Sequence, residues 1–183
     1  MDTKIVRAGD IFIYDPRTQG YASGSPITTI SGSPAIASSK LRLTSAIVQS
    51  QTAMTFGTLE MIVNVPTAPT AGDSREWGLY WISAGNKGRA TFQISGTTFQ
   101  VVVYNSAGTA VATVACTWDS DWTATDTRFA ILRSERRIIF KADNTIVYTH
   151  DDEDLLAKYP LPFYFDNSTA DSFDIAAISI YGL

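Results

Sequence analysis

The strongest chemical character in this sequence lies in one short segment, Glu76-Trp77-Gly78-Leu79-Tyr80-Trp81-Ile82. Read as an extended strand, it sends Trp77, Leu79 and Trp81 to one face and Glu76, Tyr80 and Ile82 to the other. Aromatic rings stack on the C–H faces of sugars, while carboxylates, amides and guanidiniums hold hydroxyl groups. Glu76, Trp77, Tyr80 and Trp81, with Arg89 and Gln93 on the following segment, are therefore the candidate ligand-binding residues. A competing reading makes the tryptophan face plain core, and it is the favoured one for at least one of the two indoles.

Other chemistry is poorly provided for. The chain has one histidine, His150, and one cysteine, Cys116. A catalytic thiol needs a neighbouring base, and any Ser/His/Asp triad has to run through His150. Cys116 reads as a small buried hydrophobe in a strand. No Gly-rich phosphate loop, zinc-spaced Cys/His set or nucleophile elbow occurs. Carboxylates cluster twice. Asp151, Asp152, Glu153 and Asp154 lack the order of an EF-hand loop and read as a solvated helix start. Asp166, Asn167, Asp171 and Asp174 form a second oxygen-rich region, and a structural calcium near Asp166, Asp171 and Asp174 is the one cofactor the residues suggest. Trp118 and Trp122, flanking Asp119-Ser120-Asp121, are expected to anchor a strand end and cover the edge of the core.

These residues need a scaffold, and composition says which kind. In 183 residues, 45% are hydrophobic and 17% charged, ordinary for one large globular domain over 1–183. The net charge is −4, and the densest basic group, Arg133, Arg136 and Arg137, is interrupted by Glu135. A nucleic-acid partner is not expected from such a surface. No apolar run reaches the ~20 residues of a membrane helix. The opening residues MDTKIVRAGDIFIYD lack a signal-peptide core. An extracellular or virion-associated role would therefore require release by another route.

Period-two alternation dominates the pattern. In 58–65, Leu59, Met61, Val63 and Val65 share one face, and Thr58, Glu60, Ile62 and Asn64 the other. Strands are expected at 76–83, 89–95, 98–104, 110–118, 128–133, 137–142, 145–150, 161–165 and 173–181, with turn residues between them. Residues 119–127 read as a loop and 151–159 as the one helical turn, stopped by Pro160 and Pro162. Residues 1–35 are less regular, with strands expected near 11–14 and 36–43 and a Ser/Thr/Gly/Pro-rich stretch from Gln19 to Pro34. About a dozen short strands with almost no helix predict an all-β sandwich, because an apolar strand face must be covered by a second layer.

Four segments, in order, resemble the concanavalin A-like lectin/glucanase superfamily, especially its laminarinase- and lichenase-type β-glucanases. They are Phe56-Gly57-Thr58-Leu59-Glu60-Met61-Ile62-Val63-Asn64-Val65-Pro66, Trp77-Gly78-Leu79-Tyr80-Trp81-Ile82, the hairpin from Ile139 through Asp143-Asn144 to Val147, and Asp174–Tyr181. The resemblance implies a two-sheet antiparallel jelly roll with the Trp77–Trp81 strand bordering a cleft on the concave sheet. It also implies where catalysis would sit: a Glu-x-Asp-x-(x)-Glu strand just after the Trp-rich one. Retaining hydrolysis needs two carboxyls about 5–5.5 Å apart. The corresponding stretch here, Gly88-Arg89-Ala90-Thr91-Phe92-Gln93-Ile94-Ser95, contains no carboxylate. The expected function is a non-catalytic carbohydrate-binding module, and the catalytic residue set is empty. The alternative is a self-assembling structural or adhesive protein, part of a virion, tail or surface filament, whose partners are copies of itself. An enzyme using Glu60 and Glu76 is the weakest option, since their side chains need not share a sheet surface.

Overall fold

The alternating pattern resolves into two packed sheets. The computed structural model describes residues 4–6, 11–21, 26–151 and 160–182. In chain order the elements are β1 (Lys4–Val6), β2 (Ile11–Tyr14), the one-turn helix α1 (Pro16–Gln19), β3 (Ile27–Ser31), β4 (Ala35–Ala37), β5 (Lys40–Leu43), β6 (Ala46–Met54), β7 (Gly57–Asn64) and β8 (Ser74–Leu79). They continue with β9 (Ala90–Ser95), β10 (Thr98–Tyr104), β11 (Ala110–Ala115), β12 (Thr127–Arg133), β13 (Arg137–Ala142), β14 (Thr145–Asp151), β15 (Leu161–Asn167) and β16 (Phe173–Gly182). Sheet A has the order β1-β6-β15-β8-β9-β10-β11, with β3 also on β6. Sheet B has the order β14-β13-β12-β7-β16-β5-β4, with β2 also on β16. The pairings are antiparallel except that of β1 with β6. Among the described residues no helix is long and apolar enough to cross a membrane.

The facing sides of the sheets form an aromatic core. Trp77 stands in it, its ring 5.2 Å from Phe129 and Phe173, 5.8 Å from Phe92 and 6.1 Å from Phe99, centroid to centroid. A buried aromatic removes roughly 150–250 Å² from water, an upper bound of about 4–6 kcal/mol each. On β7 the expected faces are observed: Leu59, Met61 and Val63 are buried, and Thr58, Glu60, Ile62 and Asn64 point outward. Trp122 is buried edge-on to Phe99 and Phe129, and Trp118 stands edge-on to Phe99, so both close the end of the core.

Several elements depart from the sequence pattern for identifiable reasons. The strand expected at 76–83 stops at Leu79 and gives way to a 3-10 turn, Ile82–Ala84. Pro162 on neighbouring β15 has no N–H; its carbonyl takes the Tyr80 N–H at 3.1 Å, and the β8–β15 ladder ends there. Ile82 is consequently exposed. The segment near 36–43 is a hairpin, β4–β5, turned by Ser38 and Ser39 at positive φ. β6 and β3 had no clear alternation. Ser50 and Thr52 occupy buried positions on β6, where the Ser50 hydroxyl donates to the Thr52 carbonyl and accepts the Phe163 N–H. Polar residues that meet backbone needs in the core erase the apolar period. The helical turn expected at 151–159 lies, apart from Asp151, outside the described residues.

Candidate functional site on the outer face of sheet A

Residues that alternate with the core positions of sheet A point outward. Register aligns Ile47 of β6, Asp166 of β15, Glu76 of β8, Gln93 of β9 and Gln100 of β10 in one row across the strands. The next row is Gln49, Tyr164, Gly78, Thr91 and Val102. Gly78 lacks a side chain for good reason: with φ at 144°, a Cβ there would lie 2.6 Å from the Ala90 carbonyl oxygen and 2.9 Å from Thr91 Cα. Tyr80, Arg89 and Tyr104 flank this second row where the strands end.

Hydrogen bonds tie the rows together. Arg89 Nε donates to Glu76 Oε1 at 2.6 Å, its Nη2 donates to Oε2, and the Thr91 hydroxyl donates to Oε1. Arg89 Nη1 donates to Asn86 Oδ1 at 3.1 Å. The guanidinium lies 4.7 Å from the Tyr80 ring centroid and 5.1 Å from that of Tyr104, in cation–π range of both. Tyr80 meets Tyr164 edge-on at 4.8 Å. The Tyr164 hydroxyl donates to Asp166 Oδ2 at 3.0 Å, and the Ser168 hydroxyl to Oδ1 at 2.6 Å. Gln100 Nε2 donates to Gln93 Oε1 at 2.6 Å.

The electrostatics follow from burial. Glu76 is only 6% exposed, and burial pushes its carboxyl up from the ordinary 4.5. Arg89 and Thr91 pull it down, and Asp166, directly opposite on β15, adds a smaller upward push. Burial works against the Arg89 charge, yet the Glu76 carboxylate outweighs it and holds the guanidinium protonated. Burial, with Asp166 beside it, holds the Tyr164 phenol protonated.

Of the six residues proposed from sequence, Glu76, Tyr80, Arg89 and Gln93 come together on this face. Trp77 does not. It is fully buried between the sheets, because residue 77 alternates with the outward Glu76, so its place in a ligand site is corrected to core. Trp81 is half-buried and packs against the same core. Asp166, Tyr164, Gln100 and Tyr104 were not grouped with the site from sequence. Alternation of Phe163 and Phe165 with Tyr164 and Asp166 carries a signal for their face, but not for which strand lies beside β15. Glu60 lies on the outer face of sheet B and Glu76 on that of sheet A, so these two carboxylates stand on opposite sides of the sandwich. On β9 the outward residues are Thr91, Gln93 and Ser95, with no carboxylate among them.

The remaining chemical candidates go elsewhere. Asp166 is held by Tyr164 and Ser168, Asp171 accepts from Arg75 and Thr67, and Asp174 pairs with Arg42 through two bonds of 2.8 and 2.7 Å. Among the described residues no three His, Cys, Asp or Glu side chains converge as a metal site. Asp151 pairs with Arg137, and the rest of that acidic cluster lies outside the described residues. Burial pushes the Cys116 thiol up, which disfavours the reactive thiolate. The His150 Nδ1 and the Tyr148 hydroxyl lie 3.3 Å apart, at an edge strand of sheet B. A crevice of about 470 Å³ opens between Cys116, Trp122 and the β14 residues Thr145–Val147, away from the Glu76 row.

No protein-family model and no curated protein matches the sequence. The structure is nevertheless similar to solved ones. The apo Crh5 transglycosylase superposes with a TM-score of 0.77 at 12% identity, over 98% of this chain and 87% of that one. The Bacillus licheniformis β-glucanase gives 0.74 at 12% identity, over 97% and 100%. The carbohydrate recognition domain of Emp47p gives 0.63 at 9% identity, over 93% and 95%. At such identities the likeness shows the fold alone, a two-sheet antiparallel sandwich of the concanavalin A-like type.

Proposed function

We propose that the outer face of sheet A binds a carbohydrate without cleaving it. The observation that carries this reading is the cross-strand row Asp166–Glu76–Gln93–Gln100, bordered by the half-buried rings of Tyr80 and Tyr104, with the buried Tyr164 ring packed edge-on behind Tyr80. Such a row offers donors and acceptors at strand spacing of ~4.8 Å, close to the scale of a sugar ring, with rings placed for its apolar faces. The fold supports the reading as well, since neighbours named as glucanase, transglycosylase and carbohydrate recognition domain share it. Glu76 and Asp166 carry negative charge and Arg89 positive, so a neutral glycan suits the face better than an acidic one. Absence of cleavage rests on two features. The outward side chains of β9 include no carboxylate, and Glu76 is engaged by Arg89 and Thr91 rather than presented to a glycosidic oxygen.

A glycan array followed by calorimetry tests this. The wild type is expected to bind a neutral glucan, galactan or mannan. Gln93→Ala combined with Gln100→Ala should weaken binding about tenfold, for two lost hydrogen bonds of ~0.5–1.5 kcal/mol each. No binding to any of these polymers refutes the reading. Release of reducing ends, or transfer of glycosyl units, refutes its non-catalytic half.

A further inference from the structure

From Ala90 to Trp118 the chain contains no Asp, Glu, Lys, Arg or His, although 17% of all residues are charged. This stretch builds β9, β10 and β11, and among the described residues β11 is the last strand of sheet A, with no strand on its outer side. Exposed edges are ordinarily guarded by charge, proline or brevity. At the two ends of sheet B such guards are visible: β4 has only three residues, and β14 ends at Asp151, paired with Arg137. β11 runs six residues, Ala-Val-Ala-Thr-Val-Ala, with neither charge nor proline, and its one bulge, at Val111, leaves 112–115 in regular register.

Register identifies which of its groups face solvent. The Cys116 N–H donates to the Phe99 carbonyl at 2.8 Å. Counting back in twos, Val114 and Ala112 spend their backbone groups on Val101 and Val103 of β10. The N–H and C=O groups of Thr113 and Ala115 therefore point away from the sheet, and the side chains of Val111, Thr113 and Ala115 are exposed. Ala112, Val114 and Cys116 pack on the core instead.

We propose that β11 pairs antiparallel with β11 of a second copy of this chain, about a twofold axis at Thr113. Thr113 then meets its own counterpart, and Val111 meets Ala115 of the second copy. Thr113 falls in a hydrogen-bonded pair on the axis, and each Ala115 turns its outward N–H and C=O to the second copy beside the Val111 bulge. Self-pairing sets no like charges against each other, which a twofold contact requires. An uncharged strand also offers nothing by which to select an oppositely charged foreign strand. The axis stands perpendicular to the sheet, so the two Glu76 rows face the same direction on one continuous surface. A polymer reaching both would gain from the high effective concentration of the second site. The pairing itself does not depend on the glycan reading.

Sedimentation equilibrium of the full chain, from low micromolar to submillimolar, should show a monomer–dimer equilibrium. Thr113→Lys and Thr113→Glu should each weaken it about tenfold or more, because like charges meet at the axis, and mixing the two variants should restore dimers. Hydrogen exchange on the wild type gives a readout independent of any variant's folding. The amides of Thr113 and Ala115 should be protected at high concentration and exchange freely on dilution. Those of Ala112 and Val114 should be protected throughout. A monomer at every concentration overturns the proposal. So does a dimer indifferent to both substitutions, or one whose Thr113 and Ala115 amides exchange freely.

Discussion

Replacing Arg89 by methionine leaves the Glu76 carboxylate buried opposite Asp166 with the Thr91 hydroxyl as its hydrogen-bond donor. The two paired side chains are 12% and 8% exposed, so water screens the loss little. Stranding one member of a buried pair costs about 3–5 kcal/mol. Glu76 can escape by taking a proton, which sets a ceiling on its share. From the ordinary value of 4.5, holding a proton at pH 7 costs about 3.4 kcal/mol, at 1.36 kcal/mol per pH unit. The loss of Tyr80 and Tyr104 stacking adds about 0.5–1 kcal/mol at any pH. Because the folded-state value of Glu76 is raised, and more so in the variant, the native state binds the proton more tightly than the unfolded chain. The stability of the variant therefore rises as pH falls through the raised value and levels off below 4.5. Urea unfolding of wild type, Arg89→Met, Glu76→Gln and the double variant at pH 7, 6 and 5 reads each quantity. Arg89→Met should cost about 3–4 kcal/mol at pH 7 and about 1–2 kcal/mol near pH 5. Adding Glu76→Gln should return most of the loss and flatten the pH dependence. A cost below about 1 kcal/mol at pH 7, or one that does not change with pH, refutes this electrostatic account.

Other substitutions probe the geometry. Trp77→Phe should lower stability by about 1–3 kcal/mol through imperfect filling of the aromatic core, while glycan affinity per folded molecule stays unchanged; a selective loss of affinity would return Trp77 to the site. Iodide quenching should fall more with Trp81→Phe than with Trp77→Phe, since Trp81 is half-buried and Trp77 fully buried; equal effects would contradict the assigned faces. Gly78→Ala drives a Cβ into the backbone of β9 and should cost about 2 kcal/mol or more in thermal or urea unfolding. Wild-type stability in Gly78→Ala would mean that β8 and β9 pair in a different register.

The sheet faces were legible from alternation, and the adjacency of strands was not. Leu59, Met61 and Val63 announce the inward face of β7 because strand side chains repeat every two residues, whatever the partner strand. The same rule separates Glu76 from Trp77, but it leaves open which of the two faces is core. That choice depends on the total aromatic volume between the sheets, which Phe92, Phe99, Phe129 and Phe173 supply together with Trp77. Strand order is a long-range property. Asp166 sits opposite Glu76 across ninety residues of sequence, so as a sequence feature it looked like part of an acidic cluster with Asp171 and Asp174. β6 was hidden for a different reason. Its buried Ser50 serves the backbone of β15, and hydrogen-bonding needs replaced the apolar period there.

The two least charged features of sheet A share one physical origin. Outward positions on β9 and β10 hold Gln93 and Gln100 beside the buried Thr91 and Val102, and β11 continues with Val111, Thr113 and Ala115. Neutral side chains cost little to desolvate, whereas a carboxylate or ammonium must find a partner before it leaves water. A surface built this way can be covered by another neutral surface, either a polysaccharide over the Gln93–Gln100 row or a second strand along β11. The charged residues on the same face, Glu76 and Arg89, already have each other, and Asp166 has Tyr164 and Ser168. Desolvating the face therefore strands no charge. The sequence change that would make catalysis feasible, a free carboxylate at position 91 or 93, would also make both kinds of covering costlier.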